Sequence, residues 1–271
     1  MVKIKVYDRG LLVQKEKGIK AFNGGSVEKR GRIVGFSSSA RRRLREVMLT
    51  SYCPTASNLV GITLTLPWVD YGSDVMEDFK AVNQRFQVYW LRRFGRSCAA
   101  VYRVELQVRG VPHLHLMAWH DDISDLSAVY FDLWYKALLG DLRGGLYGDF
   151  ARFGVRVDTA VNYDGVVRYL AEHTSKAKQA QLGYRGKQWG ILGRHNLRRY
   201  DGLSLDLTEW EMVRLLRVLR KITRFRVKCP CVFGSRLRGG RGVSCRVSFL
   251  RGDTVRRYVA WLALNCDDNQ G

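Results

Sequence analysis

Three observations in the sequence predict an α+β fold with a central antiparallel sheet and helices packed on one face. Short segments with apolar residues at every second position alternate with longer segments whose apolar residues recur at helical spacing. Between about residues 59 and 157 these segments follow the order β-α-β-β-α-β. The chain has 271 residues, 46% hydrophobic and 11% aromatic, which is enough apolar material for a sizeable core.

Residues 1–35 are basic and marked by Gly24-Gly25 and Gly31, a leader with a short strand expected at Val2, Ile4 and Val6. Ser37-Ser38-Ser39 reads as a helix start before ARRRLREVMLTSY, with Leu44, Val47 and Met48 as its apolar stripe. Leu59–Leu66 is a β-branched, apolar strand ended by Pro67. Asp74–Phe94 is helical through Val75, Phe79, Val82, Phe86, Tyr89 and Trp90. Cys98–Val108 and His113–Trp119 read as two strands joined at Arg109-Gly110-Val111, a hairpin. Asp125–Leu139 is a helix, Phe153–Val157 a strand and Tyr163–Lys178 a further helix. This order is the split βαβ, ferredoxin-like arrangement. It places a domain at 36–200, followed by a basic C-terminal region at 201–271. There Thr208-Glu209-Trp210-Glu211 is a capping box opening a helix, and VSCRVSFLRGD reads as part of a basic hairpin.

Lys+Arg number 46 against 25 Asp+Glu, a formal charge of +21. That excess calls for a polyanionic partner, nucleic acid first among them, although a ribosome-like basic protein has the same composition. No basic amphipathic helix exposes an apolar face to a membrane, and no apolar run is long enough to span one. The start MVKIKVYDRG lacks the apolar centre of a secretory signal, and six cysteines are too few for a disulfide framework. A reducing, cytoplasmic setting is expected.

The chemistry concentrates around Pro112-His113-Leu114-His115. A strand period of two puts both imidazoles on one face, and Glu105 and Gln107 share that spacing on the preceding strand. Closing the hairpin brings Glu105 near the histidines. Two imidazoles and a carboxylate make a three-ligand site with positions left for water and a phosphate oxygen. An H-x-H pair by itself is more often two hydrogen-bonded histidines in an ordinary strand than a metal site.

The stretch Glu105-Leu106-Gln107-Val108-Arg109-Gly110-Val111-Pro112-His113-Leu114-His115 resembles the E-x-Q-x-R-G-x-P-H-x-H signature of phage and plasmid rolling-circle replication initiators, within the HUH (His-hydrophobic-His) endonucleases. Gly61-Ile62-Thr63-Leu64-Thr65-Leu66-Pro67 is similar to the family's upstream strand motif. Val167–Lys176 resembles its tyrosine helix, and Trp189-Gly190 is similar to a segment that often follows that helix. Three motifs in the family's order are more specific than any one of them. The resemblance covers about residues 35–200 and implies the ferredoxin-like sheet, a divalent Mg or Mn held by His113, His115 and Glu105, and Tyr169 as nucleophile.

The tyrosine helix departs from the family pattern. Tyr169 stands at the first tyrosine position and His173 at the second; Glu172 stands at the first lysine position and Lys176 at the second. On a helix Tyr169, His173 and Lys176 share one face. In-line attack by Tyr169 would give a 5′-phosphotyrosyl enzyme and a free 3′-hydroxyl able to prime a polymerase. With one tyrosine, a second cleavage would use another subunit, a released 3′-hydroxyl, or water assisted by His173 or Glu172.

Thr63 and Thr65 share one side of their strand, with hydroxyls suited to phosphates or base edges. Arg41–Arg43, Arg109, Arg185, Lys187 and Arg194 are candidates to follow a DNA backbone, and Trp189 to stack a base. The expected substrate is single-stranded DNA or an extruded hairpin origin. No G-x-x-x-x-G-K-[ST] loop is present, so unwinding and synthesis would fall to a host helicase and polymerase in the bacterial cytoplasm. The spacings of Cys229, Cys231, Cys245 and Cys266 do not match paired zinc knuckles and read first as ordinary thiols. Alternatives are a transposase or mobilisation relaxase of the same superfamily, and a non-catalytic basic nucleic-acid-binding protein. A 2-His-1-carboxylate oxygenase fits worst, because the usual close H-x-D/E pair is absent.

Overall fold

The computed structural model describes residues 2–7, 10–15, 36–56, 58–66, 75–106, 110–140, 154–158, 187–208, 210–211, 213–214, 217, 245–249 and 257. The chain divides into two compact units. One comprises Met1–Lys29, Arg42–Thr50 and Tyr200–Gly271, and the other Arg30–Arg41 and Ser51–Arg199.

The second unit is α+β and is built on a five-stranded antiparallel sheet. Its elements are β4 (Asn58–Thr65), α2 (Val75–Phe94), β5 (Ala99–Leu106), β6 (Pro112–His120), α3 (Leu126–Leu139), β7 (Val155–Asp158) and β8 (Trp189–Leu192). The strands lie in the order β7-β4-β6-β5-β8, and every neighbouring pair is antiparallel. The expected β-α-β-β-α-β succession is therefore present, and β8 adds an edge strand that periodicity did not reveal. Four residues starting on Trp189-Gly190 are too few to show an alternation. A two-residue bridge pairs β3 (Ser51–Tyr52) with β9 (Arg198–Arg199).

Alternation along the strands decides which face is covered. Val60, Ile62 and Leu64 of β4, Ala100, Tyr102 and Val104 of β5, and Leu114, Leu116 and Ala118 of β6 join one buried cluster. Phe79, Val82, Phe86 and Trp90 of α2 and Tyr130, Leu133, Trp134 and Ala137 of α3 complete it. Those helical positions recur at three and four residues, so each helix lays one stripe on the sheet. At about 25 cal/mol per Å2 of apolar surface, this layer is the main source of stability. The odd-numbered residues of β4, β5 and β6 consequently emerge on the other face.

The hairpin connection has a specific backbone requirement. Gly110 adopts φ +82°, a left-handed conformation costly to any residue with a Cβ. Pro112 then opens β6 at the first strand position, where its missing N–H is tolerated. Gly193 closes β8 with φ +59°, and a Cβ there would run into the Cys98 carbonyl.

The first unit holds a four-stranded antiparallel sheet of β1 (Val2–Tyr7), β2 (Gly10–Lys15), β10 (Leu203–Leu207) and β11 (Cys245–Phe249), in the order β10-β1-β2-β11. The leader and the C-terminal region thus share one sheet rather than forming separate pieces. The Val2-Ile4-Val6 alternation had marked β1, and the hairpin read in VSCRVSFLRGD contains β11. Helix α1 (Ser38–Thr50) starts where Ser37 Oγ accepts from the Ala40 N–H, and its Leu49 packs with Tyr7 and Leu12. The capping box forms as expected: the Glu211 N–H donates to Thr208 Oγ1 and the Thr208 N–H to the Glu211 carboxylate. Among the described residues, no helix is long and apolar enough to cross a membrane.

The core beneath α2 and α3 contains a polar chain that includes a histidine. Trp90 Nε1–H donates to Tyr130 Oη at 2.9 Å, and Tyr130 Oη lies 2.9 Å from His120 Nε2. Trp is a donor only, so Tyr130 accepts from it and donates its own proton to a neutral His120. Burial lowers the His120 pKa from 6.5 to about 4. Between those values the unfolded chain binds a proton that the folded chain refuses, so stability falls as pH drops through the window. The full effect is about 3 kcal/mol. Urea midpoints measured from pH 7 to pH 4 should decline, and His120→Gln should remove most of that part of the slope.

Candidate functional site

The face opposite α2 and α3 carries the polar residues that the strand alternation excludes from the core. Register fixes their neighbours. In one row Thr65 of β4, His113 of β6 and Glu105 of β5 are cross-strand partners. In the next, Arg156 of β7, Thr63 of β4, His115 of β6, Arg103 of β5 and Trp189 of β8 cross the whole sheet. A slip of one residue in any pairing would send these side chains into the hydrophobic layer.

The two imidazoles are held alike. Thr65 Oγ1 lies 2.9 Å from His113 Nδ1, and Thr63 Oγ1 lies 3.1 Å from His115 Nδ1. The rings are nearly parallel, with 9° between planes and 5.9 Å between centroids. Each ring thereby keeps Nε2 for a different contact. His115 Nε2 is 3.4 Å from Glu105 Oε2, and Glu105 and His113 are both buried. A buried carboxylate is costly to desolvate, so its position against an imidazole constrains the site as well as the chemistry.

Two donors bound to one divalent ion by bonds near 2.1 Å lie roughly 3.0–3.4 Å apart. The Glu105–His115 separation matches that spacing. Among the described residues, no group of three or more His, Cys, Asp and Glu side chains is gathered as a metal cage. The arrangement is thus one donor pair at ligand spacing with His113 alongside on the same face.

Sequence reading offered the hydroxyls of Thr63 and Thr65 to DNA; the structure engages each with an imidazole. Trp189 is half-buried at the start of β8, and Lys187 and Arg194 are exposed. Tyr169, His173, Lys176, Glu172, Arg109 and Arg185 lie outside the described residues, as does the helix expected at 163–178. So do Cys229, Cys231 and Cys266.

Arg103 was not singled out from the sequence. It is buried beside His115 in register, with its guanidinium 4.4 Å from the centre of the Phe36 ring, a cation–π separation. Its spacing of two from Glu105 was the available signal. Arg156 shares the same row and pairs with Asp158 at 3.0 Å.

Neither family models, curated proteins nor solved structures give a match to this chain.

Trp189 owes its position to its neighbour. A Cβ at Gly190 would stand 2.6 Å from the ring of the buried Tyr102, its partner on β5. Gly190→Ala should therefore cost about 1–3 kcal/mol through overpacking, read as a lower urea midpoint.

Proposed function

We propose that the chain is a metal-dependent tyrosine endonuclease that nicks and rejoins single-stranded DNA, the activity that starts rolling-circle replication. The observation that carries this reading is the register-fixed set Thr65–His113–Glu105 and Thr63–His115, with both imidazoles anchored at Nδ1 and Glu105 beside His115 Nε2. The strand order β7-β4-β6-β5 along a β-α-β-β-α-β chain supports a split βαβ, ferredoxin-like fold, and so does the placement of both helices on one face. The three ordered motifs support membership of the HUH initiators, and the formal charge of +21 suits a polyanionic substrate.

Of Mg and Mn, a set of two neutral imidazoles and one carboxylate fits Mn better, since Mg takes oxygen donors and imidazole suits the later divalent ions; His113, His115 and Glu105 would hold the ion. When bound, the ion would polarise a non-bridging oxygen of the scissile phosphate and offset the charge that builds up on it. Thr63 and Thr65 hold the rings of His115 and His113 at Nδ1, while the covalent step falls to Tyr169 on the strength of the motif alone. Its phenolic oxygen forms a new bond to phosphorus as the bond from phosphorus to the 3′-oxygen breaks. The phenol proton passes through solvent to the leaving 3′-oxygen, so the step needs no oxidant or reductant.

The donor set is not gathered as it stands, and that favours one second reading, a basic nucleic-acid-binding protein without catalysis. The two readings separate in one experiment with Mn2+ or Mg2+ and single-stranded oligonucleotides scanned across candidate origins. Nicking should yield a protein–DNA adduct that survives denaturation, absent in Tyr169→Phe and reduced at least about 100-fold in His113→Ala, a loss of about 2.7 kcal/mol of transition-state stabilisation. Salt-sensitive binding without any adduct would favour the second reading, and an adduct persisting in Tyr169→Phe would remove Tyr169 from its role.

A further inference from the structure

We infer that Thr63 and Thr65 are positioning residues that hold the rings of His115 and His113 at Nδ1, with Thr65 accepting from His113 Nδ1–H and so setting the tautomer of that ring. This rests on reading the histidine face as the working site, and it adds to the DNA contact that the sequence suggested for these hydroxyls.

The geometry is repeated, which argues against a chance contact. Two threonines on β4, two residues apart, meet two histidines on β6, two residues apart, through the same pair of atoms, Oγ1 and Nδ1. The strand register Thr63↔His115 and Thr65↔His113 imposes both contacts at once. A neutral imidazole has one N–H and one lone pair, and a hydroxyl accepting from Nδ1–H leaves the lone pair on Nε2. On His115 that nitrogen is the one beside Glu105. Partners that accept from the second ring nitrogen of a ligating histidine commonly change metal affinity by about 10- to 100-fold when removed.

At His115 the hydroxyl of Thr63 suits both tautomers. It accepts from Nδ1–H when Nε2 is needed as a lone pair, and it can rotate to donate to Nδ1 when Nε2 carries the proton. His115 can therefore give an N–H to Glu105 in one state and a lone pair toward a cation in the other. Its proton moves between the two ring nitrogens through solvent, with no net uptake or release. Valine has the same branched shape and strand preference as threonine but no hydroxyl, so Thr→Val isolates the hydrogen bond, and Thr→Ser restores it.

Nitrogen NMR of the histidine rings in the metal-free full chain tests this without any reaction. In the wild type and in Thr65→Ser, His113 should show the shifts of a single Nδ1–H tautomer; in Thr65→Val they should move toward the average of two exchanging forms. Titration with Mn2+ should give an affinity about 10- to 100-fold weaker for Thr65→Val and Thr63→Val than for wild type, with the serine variants close to wild type. Unchanged His113 ring-nitrogen shifts in a folded Thr65→Val protein would overturn the inference, whether or not the protein cleaves DNA. If the wild type showed the expected tautomer but did not bind Mn2+, the positioning role would stand and the metal-dependent reading would fail.

Discussion

Everything at the site depends on the register of three antiparallel strands. β6 runs between β4 and β5, and its alternation hands Leu114, Leu116 and Ala118 to the helices and His113 and His115 to the opposite face. The same register brings Thr63 and Thr65 from one side and Arg103 and Glu105 from the other. Register is held because one face is a hydrophobic layer, where a one-residue slip would exchange leucines for charged and polar groups at a cost of several kcal/mol. Packing by α2 and α3 therefore fixes a site that those helices do not form.

Two polar systems on β6 divide between its faces and behave differently. His120, at the end of the strand, lies in the core with Tyr130 and Trp90, and burial holds it neutral. His113 and His115 stand on the other face beside a carboxylate and two hydroxyls. The immediate surroundings of an imidazole, rather than the strand that carries it, decide its partners.

Much of this was legible in the sequence because it follows from short periods. Alternation marked β4, β5 and β6, helical spacing marked α2 and α3, and the two-residue steps at Thr63/Thr65 and His113/His115 marked a shared face. Pairing of the hairpin brought Glu105 into view. What one strand cannot reveal is its partner: the threonine–histidine contacts need the β4–β6 register, which couples residues about 50 positions apart. The same limit hid β8, the row position of Arg103, and the joining of β1 and β2 to β10 and β11, since short strands gain their identity from the edge they meet.

The proposed chemistry is most directly tested by locating the metal itself. A crystal of the full chain soaked in Mn2+ should show one anomalous peak between His113 Nε2, His115 Nε2 and a Glu105 oxygen, at about 2.0–2.3 Å from each. A peak elsewhere, or none at this face under conditions in which the protein still forms a covalent DNA adduct, would contradict the account.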